Sequence, residues 1–513
     1  MYPIIFSLFK NNSSATIRLI TTILILTMAG CSIHPVAPHT GAIDVNTTQQ
    51  EKECLTFFNN LDASINTLTF FEASVQRVDG YPIYRSDRFL ASFANQKLTQ
   101  QEHSAWKASL HANAINAYQQ EIARLPNDIK LPLAFKQLSI INNISQCFSN
   151  LESYFLKKEI KTPLDIERLT IKDNYSTMAR FFGIYPLTQW LAQPSMKSYQ
   201  EEMTARYLKG QYPDSTIHLY QPKSRTTVDI QSIQQTLSNA YSANALRIPV
   251  LNASEKQTLL AHFSPNLSIE KTNSSDMIGS PEWGENDQII VNTQKPRAYT
   301  FITYTRLNGQ VLIQLNYGFW FPERPSQSNF DIYAGELDGI IWRVTLDTQG
   351  NPFFYDSIHQ CGCYHKVFLP QDVSYDTTNN TVESPLFFSI NNDTSDSTHP
   401  ITLNIDSSSH YIVGVSQVHS SLYSKSEKTT FYEFADYRLL SQLPTKNRRK
   451  SLFKENGIIG QSARKERWFL WPLGVVNAGA MRQKGRHAIA FIGRRHFDDA
   501  FLFEKLNLRA KQP

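Results

Sequence analysis

Near Thr216 the apolar residues of this chain stop recurring at the period of a helix and begin to alternate like those of strands. From Glu51 to about Tyr207 they fall three and four apart, as in Ile115, Tyr118, Ile122 and Leu125, with Leu90, Phe93 and Leu98 in a looser example. Asp79-Gly80-Tyr81-Pro82, Leu125-Pro126-Asn127-Asp128 and Thr162-Pro163 break that stretch, so several helices are expected over 51–210. Beyond it, Ala298 to Arg306 and Gln310 to Trp320 alternate around Asn308-Gly309, a strong hairpin signal. Ile340 to Leu346 with Pro352 to Ile358, and Ile401 to Ile405 with Tyr411 to Val418, flank two further polar turns. The expected fold is α+β: a helical N-terminal domain, then an antiparallel β-rich domain over 216–445, as a sandwich or partly closed barrel.

The ends add other segments. Lys10 and Arg18 precede an apolar run, Leu19 to Met28, of about half the length a membrane-spanning helix needs, which is the pattern of an export signal. Residues 31–50 are polar and read as a tether. Residues 446–513 hold sixteen Lys and Arg against five Asp and Glu. Their apolar patches, Trp468-Phe469-Leu470-Trp471 and His487 to Ile492, predict a segment folded against the sheet, with Ala488 to Ile492 as a buried strand. Without the leader and this segment, residues 31–445 carry a net charge of −8. A basic segment on an acidic body meets something anionic: that body itself, lipid headgroups or surface polysaccharide. Asp372 to His399 is rich in Asp, Thr, Asn and Ser and reads as a surface excursion.

Met28-Ala29-Gly30-Cys31 resembles the lipobox of bacterial lipoproteins, with Met28 where that family usually has Leu, Val or Ile. The resemblance implies that residues 1–30 are removed, that Cys31 is lipidated, and that the protein is held in the bacterial cell envelope. Ser32 resembles the sorting residue of outer-membrane members. An exported address argues against nucleic acid as a partner and makes disulfides permissible. Cys54 and Cys147, near the two ends of the helical stretch, are the expected pair.

No phosphate-binding loop, dinucleotide fingerprint, His-Glu-x-x-His helix or Gly-x-Ser-x-Gly elbow occurs. What stands out is His359-Gln360-Cys361-Gly362-Cys363-Tyr364-His365. His359, Cys361, Cys363 and His365 share parity, so an extended strand would present all four on one side, and Gly362 permits the turn that could gather them. Thiolate with imidazole suits zinc or copper, with His496 as the favoured outside ligand and His487 a further candidate. Two alternatives stay open for Cys361 and Cys363: a labile redox disulfide, or structural bonds to Cys54 and Cys147. A second cluster, Glu323, Arg324, Glu336, Asp338 and Arg343, has the residue types of an acid/base pair and an anion clamp, or of ion pairs at a sheet edge. The function classes are therefore a metal-binding protein or metal-dependent enzyme, a binding or scaffold lipoprotein with an anionic partner, and a thiol-disulfide protein.

Residues 299–365 and 468–499 are also similar to a group of uncharacterised bacterial envelope proteins, through Trp320-Phe321-Pro322-Glu323-Arg324-Pro325, Leu337-Asp338-Gly339-Ile340-Ile341-Trp342-Arg343-Val344, Tyr355 to His365 and Gly493 to Asp499. That similarity implies a shared fold and no particular activity.

Overall fold

The computed structural model describes residues 47–126, 128–161, 169, 171–210, 216–370, 373–375, 383–392, 400–417 and 426–510. The leader, Cys31, most of the tether, the break at Thr162-Pro163 and much of Asp372 to His399 lie outside them. The described residues belong to one compact unit.

Helix α1 (Gln49–Leu68) starts at a reciprocal cap, in which Thr48 accepts from the Glu51 N–H and Glu51 accepts from that of Thr48. It buries Cys54, Phe57, Phe58, Leu61 and Ile65 at helical spacing. A hairpin of β1 (Gln76–Val78) and β2 (Tyr81–Ser86) follows, an addition to the expected helices. Helix α2 (Gln100–Ile122) repeats the capping box with Thr99 and Glu102, and α3 (Ile140–Lys161) carries Cys147. Cys54 and Cys147 form a disulfide that ties α1 to α3. Between these elements lies a buried ionic knot. Arg85 clamps Glu121 through two bonds of 2.7 Å, and Arg77 reaches Asp62 at 3.0 Å. Two more helices, α4 (Thr177–Phe182) and α5 (Tyr185–Lys209), precede the sheet.

The sheet has twelve strands and is curled into a half-barrel. In chain order they are β3 (Ile217–Pro222), β4 (Asn266–Glu270), β5 (Arg297–Leu307), β6 (Gln310–Arg324), β7 (Gly335–Leu346), β8 (Pro352–His359), β9 (Lys366–Leu369), β10 (Leu386–Ser389), β11 (Asn391–Asn392), β12 (Thr402–Ile405), β13 (Ile412–Gln417) and β14 (Ser426–Asp436). Their spatial order is β10-β9-β8-β7-β6-β5-β14-β3-β4-β12-β13-β11. All three expected hairpins are present, β5 with β6, β7 with β8, and β12 with β13. Asn308 and Gly309 both take positive φ, 51° and 77°, as a two-residue turn matched to strand twist requires.

Purely antiparallel pairing does not hold. β14 runs parallel to both β5 and β3, and β9–β10, β4–β12 and β11–β13 are parallel too. The parallel partners are strands set apart by long stretches of chain, as with β4 and β12, which have more than a hundred residues between them. Helices α6 (Ile230–Ser242) and α7 (Ala253–His262) join the antiparallel β3 and β4 and pack on the sheet. The apolar cluster of the helical stretch, with Cys54, Phe58 and Tyr118, also takes in Leu246, Ile248, Val311 and Ala500 from beyond Thr216. Ala488 to Ile492 is mostly buried, but only Ala488 pairs, through an isolated bridge to His496.

Candidate functional site

Arg324 ends β6, and near the start of the next strand a left-handed Leu337 at φ 57° precedes Asp338. Residues Phe321 and Asp338 face each other in register, as do Glu323 and Glu336, which leaves Pro322 opposite Leu337. Proline has no N–H to give, so the ladder lacks a pair there while the register holds on both sides. His359 ends β8, after which the chain turns through Gly362 (φ 92°) and a second left-handed residue, Tyr364 (φ 65°), into β9. A third, His410 (φ 53°), lies in the β12–β13 turn. Strained backbone at side-chain-bearing residues persists where surroundings enforce it, and three such residues flank one cluster here.

That cluster is a buried relay. Oδ1 of Asp276 is 3.6 Å from Nε2 of His410, Nδ1 of His410 is 2.7 Å from Oδ2 of Asp338, and Oδ1 of Asp338 is 3.5 Å from Nδ1 of His359. Phe321 stacks flat on His410, centroids 3.9 Å apart. Burial opposes ionisation of Asp338, yet hydrogen bonding and charge from His359 and His410 hold its carboxyl well below the ordinary range. Burial lowers the His359 imidazole despite Asp338. For His410 the two carboxylates win over burial and raise it. His410 is therefore the member that keeps a proton, and His359 the one that gives it up. Among the described residues no hydrogen bond engages Nε2 of His359, whose ring packs on Tyr364 and Tyr411 at 4.9 and 5.4 Å.

Beside it Arg324 lies against three tyrosine rings, its guanidinium 5.2 Å from Tyr411, 5.5 Å from Tyr333 and 6.0 Å from Tyr364. Its Nη atoms reach the Tyr411 hydroxyl at 3.4 and 3.5 Å, while Nε is buried without a partner. No carboxylate of the described residues lies within ion-pair distance of it. The Tyr199 hydroxyl is likewise buried without a partner, with its ring 5.4 Å from that of Tyr364. Lys366 donates to the Ile412 carbonyl at 2.8 Å, and burial brings its amine down to about 7. Burial pushes the Glu466 carboxyl up to about 7, against the pull of Arg324, Arg464 and Arg482.

The residues singled out for metal binding go to separate places. The chain turn defeats the parity argument: His359 shares the face of Tyr355 and Trp342, whereas His365 reaches the opposite face and meets Asp356 at 3.0 Å. Asp356 is itself clamped by Arg343. Cys361 enters an apolar cluster with Trp320, Leu337 and Met481. Cys363 is half-buried, and its N–H points at Sγ of Cys361, 3.4 Å away. Both thiols are free, so neither bonds to Cys54 or Cys147. His496 is turned to Asp173 at 3.0 Å. His487 does approach the turn, with Nε2 3.2 Å from the Gln360 carbonyl oxygen. Among the described residues no group of three or more His, Cys, Asp or Glu is arranged to hold an ion. The donor set of His359, Cys361, Cys363, His365 and His496 thus does not fit one zinc or copper ion.

Of the second cluster, Asp338 and Arg324 meet in the site, while Arg343 serves Asp356 and Glu336 bonds to Gln461. The basic segment directs its charge inward. Arg464 donates to the carbonyls of Glu336 and Leu337, Arg482 to those of Cys361, Val476 and Asn477, and Arg486 to that of Ala73. Asp276, Tyr364, Lys366, His410, Tyr411 and Glu466 were not among the residues expected at a site. They come from four separate stretches, and no local spacing announces them. No family model, curated protein or solved structure matches the chain.

Proposed function

We propose that this protein is a lipid-anchored protein of the bacterial envelope whose β-sheet carries a general acid–base site for an anionic substrate. The observation that carries the site is the pairing of an Asp-oriented histidine with a half-buried arginine that has no carboxylate within ion-pair distance among the described residues. In this reading Asp338 fixes the His359 ring through Nδ1 and leaves Nε2 to take a proton from the water that attacks a bound ester. Asp276 and protonated His410 hold Asp338 in place from behind. Arg324 receives the anionic group, because a half-buried guanidinium packed among tyrosine rings, with its Nε unpartnered, gains a bidentate partner from one. Glu466, with its carboxyl at about 7, keeps a proton to return to the leaving group near neutral pH.

Inorganic phosphate is the first probe. It raises the melting temperature of the parent and of His359→Gln, and leaves Arg324→Gln unchanged; equal stabilisation of all three removes Arg324 as the clamp. A panel of chromogenic phosphate and carboxylate esters tests turnover. Any ester cleaved by the parent loses about a hundredfold or more in rate with His359→Gln, and an unaffected rate overturns the assignment. The anchor is tested apart from the site. Cys31→Ala releases the protein into the soluble fraction or leaves the leader uncleaved, and a variant that fractionates and matures like the parent refutes lipidation.

A further inference from the structure

Helix α5 (Tyr185–Lys209) buries only Met203 and Tyr207, both near its C-terminal end. Its first half turns large apolar side chains outward: Leu187, Trp190 and Leu191, three and four apart, form a stripe, with Trp190 63% and Leu191 59% exposed. The preceding helix adds Phe181, 74% exposed. The surface continues onto the basic segment, since Gly183 abuts Pro472 and Ser176 donates to the Gly474 carbonyl at 2.7 Å. Just before Pro472, Trp468 and Phe469 are again exposed. Soluble surfaces rarely gather so many large apolar side chains without something to cover them.

Charge identifies what covers this face. Residues 177–200 contain no Asp or Glu. Lys465 lies over the ring of Phe330 at 5.9 Å and Arg467 over that of Trp468 at 4.7 Å, so cations ride on the edges of the apolar patch. The acidic residue between them, Glu466, is buried. Exposed Trp, Phe and Leu rimmed by Lys and Arg, with exposed carboxylates excluded, match the headgroup boundary of an anionic bilayer. The length of the tether agrees. A lipid on Cys31 leaves sixteen residues before Thr47, a reach on the order of 50 Å at most, which keeps the body beside the membrane.

We infer that the face formed by Phe181, Leu187, Trp190, Leu191, Trp468 and Phe469 docks the protein onto an anionic lipid surface, as a second attachment besides the lipid anchor. The docking is separate from the acid–base site, and its test is made without the anchor. The full chain carrying Cys31→Ser is mixed with vesicles of phosphatidylethanolamine and phosphatidylglycerol bearing brominated acyl chains. Residues 1–46 contain no tryptophan, so quenching reports on the folded body whatever the leader does. Tryptophan emission is quenched, and Leu191→Glu and Phe469→Glu each weaken the quenching by about tenfold or more in lipid concentration, with melting temperatures unchanged because both side chains are exposed. Pure phosphatidylcholine vesicles quench far less. Absent quenching, or variants that bind like the parent, overturns the inference. So does a parent that sediments as a dimer and becomes monomeric with Leu191→Glu, since a second copy then covers the face.

Discussion

Nδ1 of His410 lies 2.7 Å from Oδ2 of Asp338, and neither side chain reaches solvent. The pair is charged on both sides: the carboxyl is held far below its usual range and the imidazole is raised above its own. Removing Asp338 leaves His410 with Asp276 alone, and removing His410 leaves Asp338 facing only His359, whose imidazole burial lowers, so either loss strips a buried charge of its nearest partner.

Asp338→Asn is therefore expected to destabilise the fold by about 3–5 kcal/mol, and His410→Gln by a similar amount. Urea unfolding measures both. The double variant loses less than the two singles together, because each single already breaks the same pair. Full additivity would mean that the two side chains do not interact.

Glu466 gives a pH signature of the opposite sign to that of an ion-paired acid. Its carboxyl is raised from 4.5 to about 7, so its contribution to stability is fully present below 4.5, is lost as the pH rises to 7, and stays lost above. The full shift corresponds to about 3 kcal/mol. Glu466→Gln, which cannot ionise, is expected to melt higher than the parent at pH 8 and alike at pH 4. A variant that melts lower at pH 8 would show that the ionised carboxylate is a stabilising partner.

Burial lowers His359 and His365, so their contribution is present above 6.5 and fades as the pH falls. His410 acts in reverse. Stability is expected to decline from about pH 6.5 downward, before Glu121 and Asp356, both held below their usual range, begin to protonate. His365→Asn flattens the first part of that decline, as thermal melts between pH 7 and 5 will read.

Elemental analysis after zinc or copper loading tests the separation of the Cys/His donors. His365 and His496 are each paired with their own aspartate, away from Cys361. His365→Ala and His496→Ala are expected to retain as much metal as the parent, whatever that amount is. A loss of about one ion per chain in either variant would mean that the turn rearranges to gather them.

The Cys54–Cys147 disulfide closes a loop of 93 residues, worth about 4–5 kcal/mol in chain-entropy terms. The double serine variant is expected to lose stability of that order, and Cys361→Ser with Cys363→Ser to lose much less. Equal losses would place a second covalent link at residues 361 and 363.

The hairpins were legible because Asn308-Gly309 and the alternation around Asp347 and Asp406 are local signals that nothing overrides. The parallel pairings were not, since β14 finds β3 across two hundred residues and no spacing encodes that. Arg324 and Asp338 could be suspected from their types alone. That they share a site with His359 and His410 depends on which strands become neighbours and on a turn at residues 360–365, which changes the face that His365 occupies. Ligand density in a short segment misled for the same reason: parity predicts a shared face only while the strand stays extended.

β14 is the seam of the sheet. On one side lie the six strands from β10 to β5, on the other the five from β3 to β11, and the order gives no other strand that joins them. Until residues 426–436 have been made and placed, β5 and β3 each present an open edge of unpaired amides, with most of the chain already synthesised. Folding from the N-terminus onward therefore completes the sheet only from a state with both edges open, through a non-local pairing of the kind that is slow. A nascent or newly translocated chain in that state is open to strand exchange with its neighbours, and a chaperone that shields exposed strand edges should raise the yield of native protein more than one that accelerates proline isomerisation.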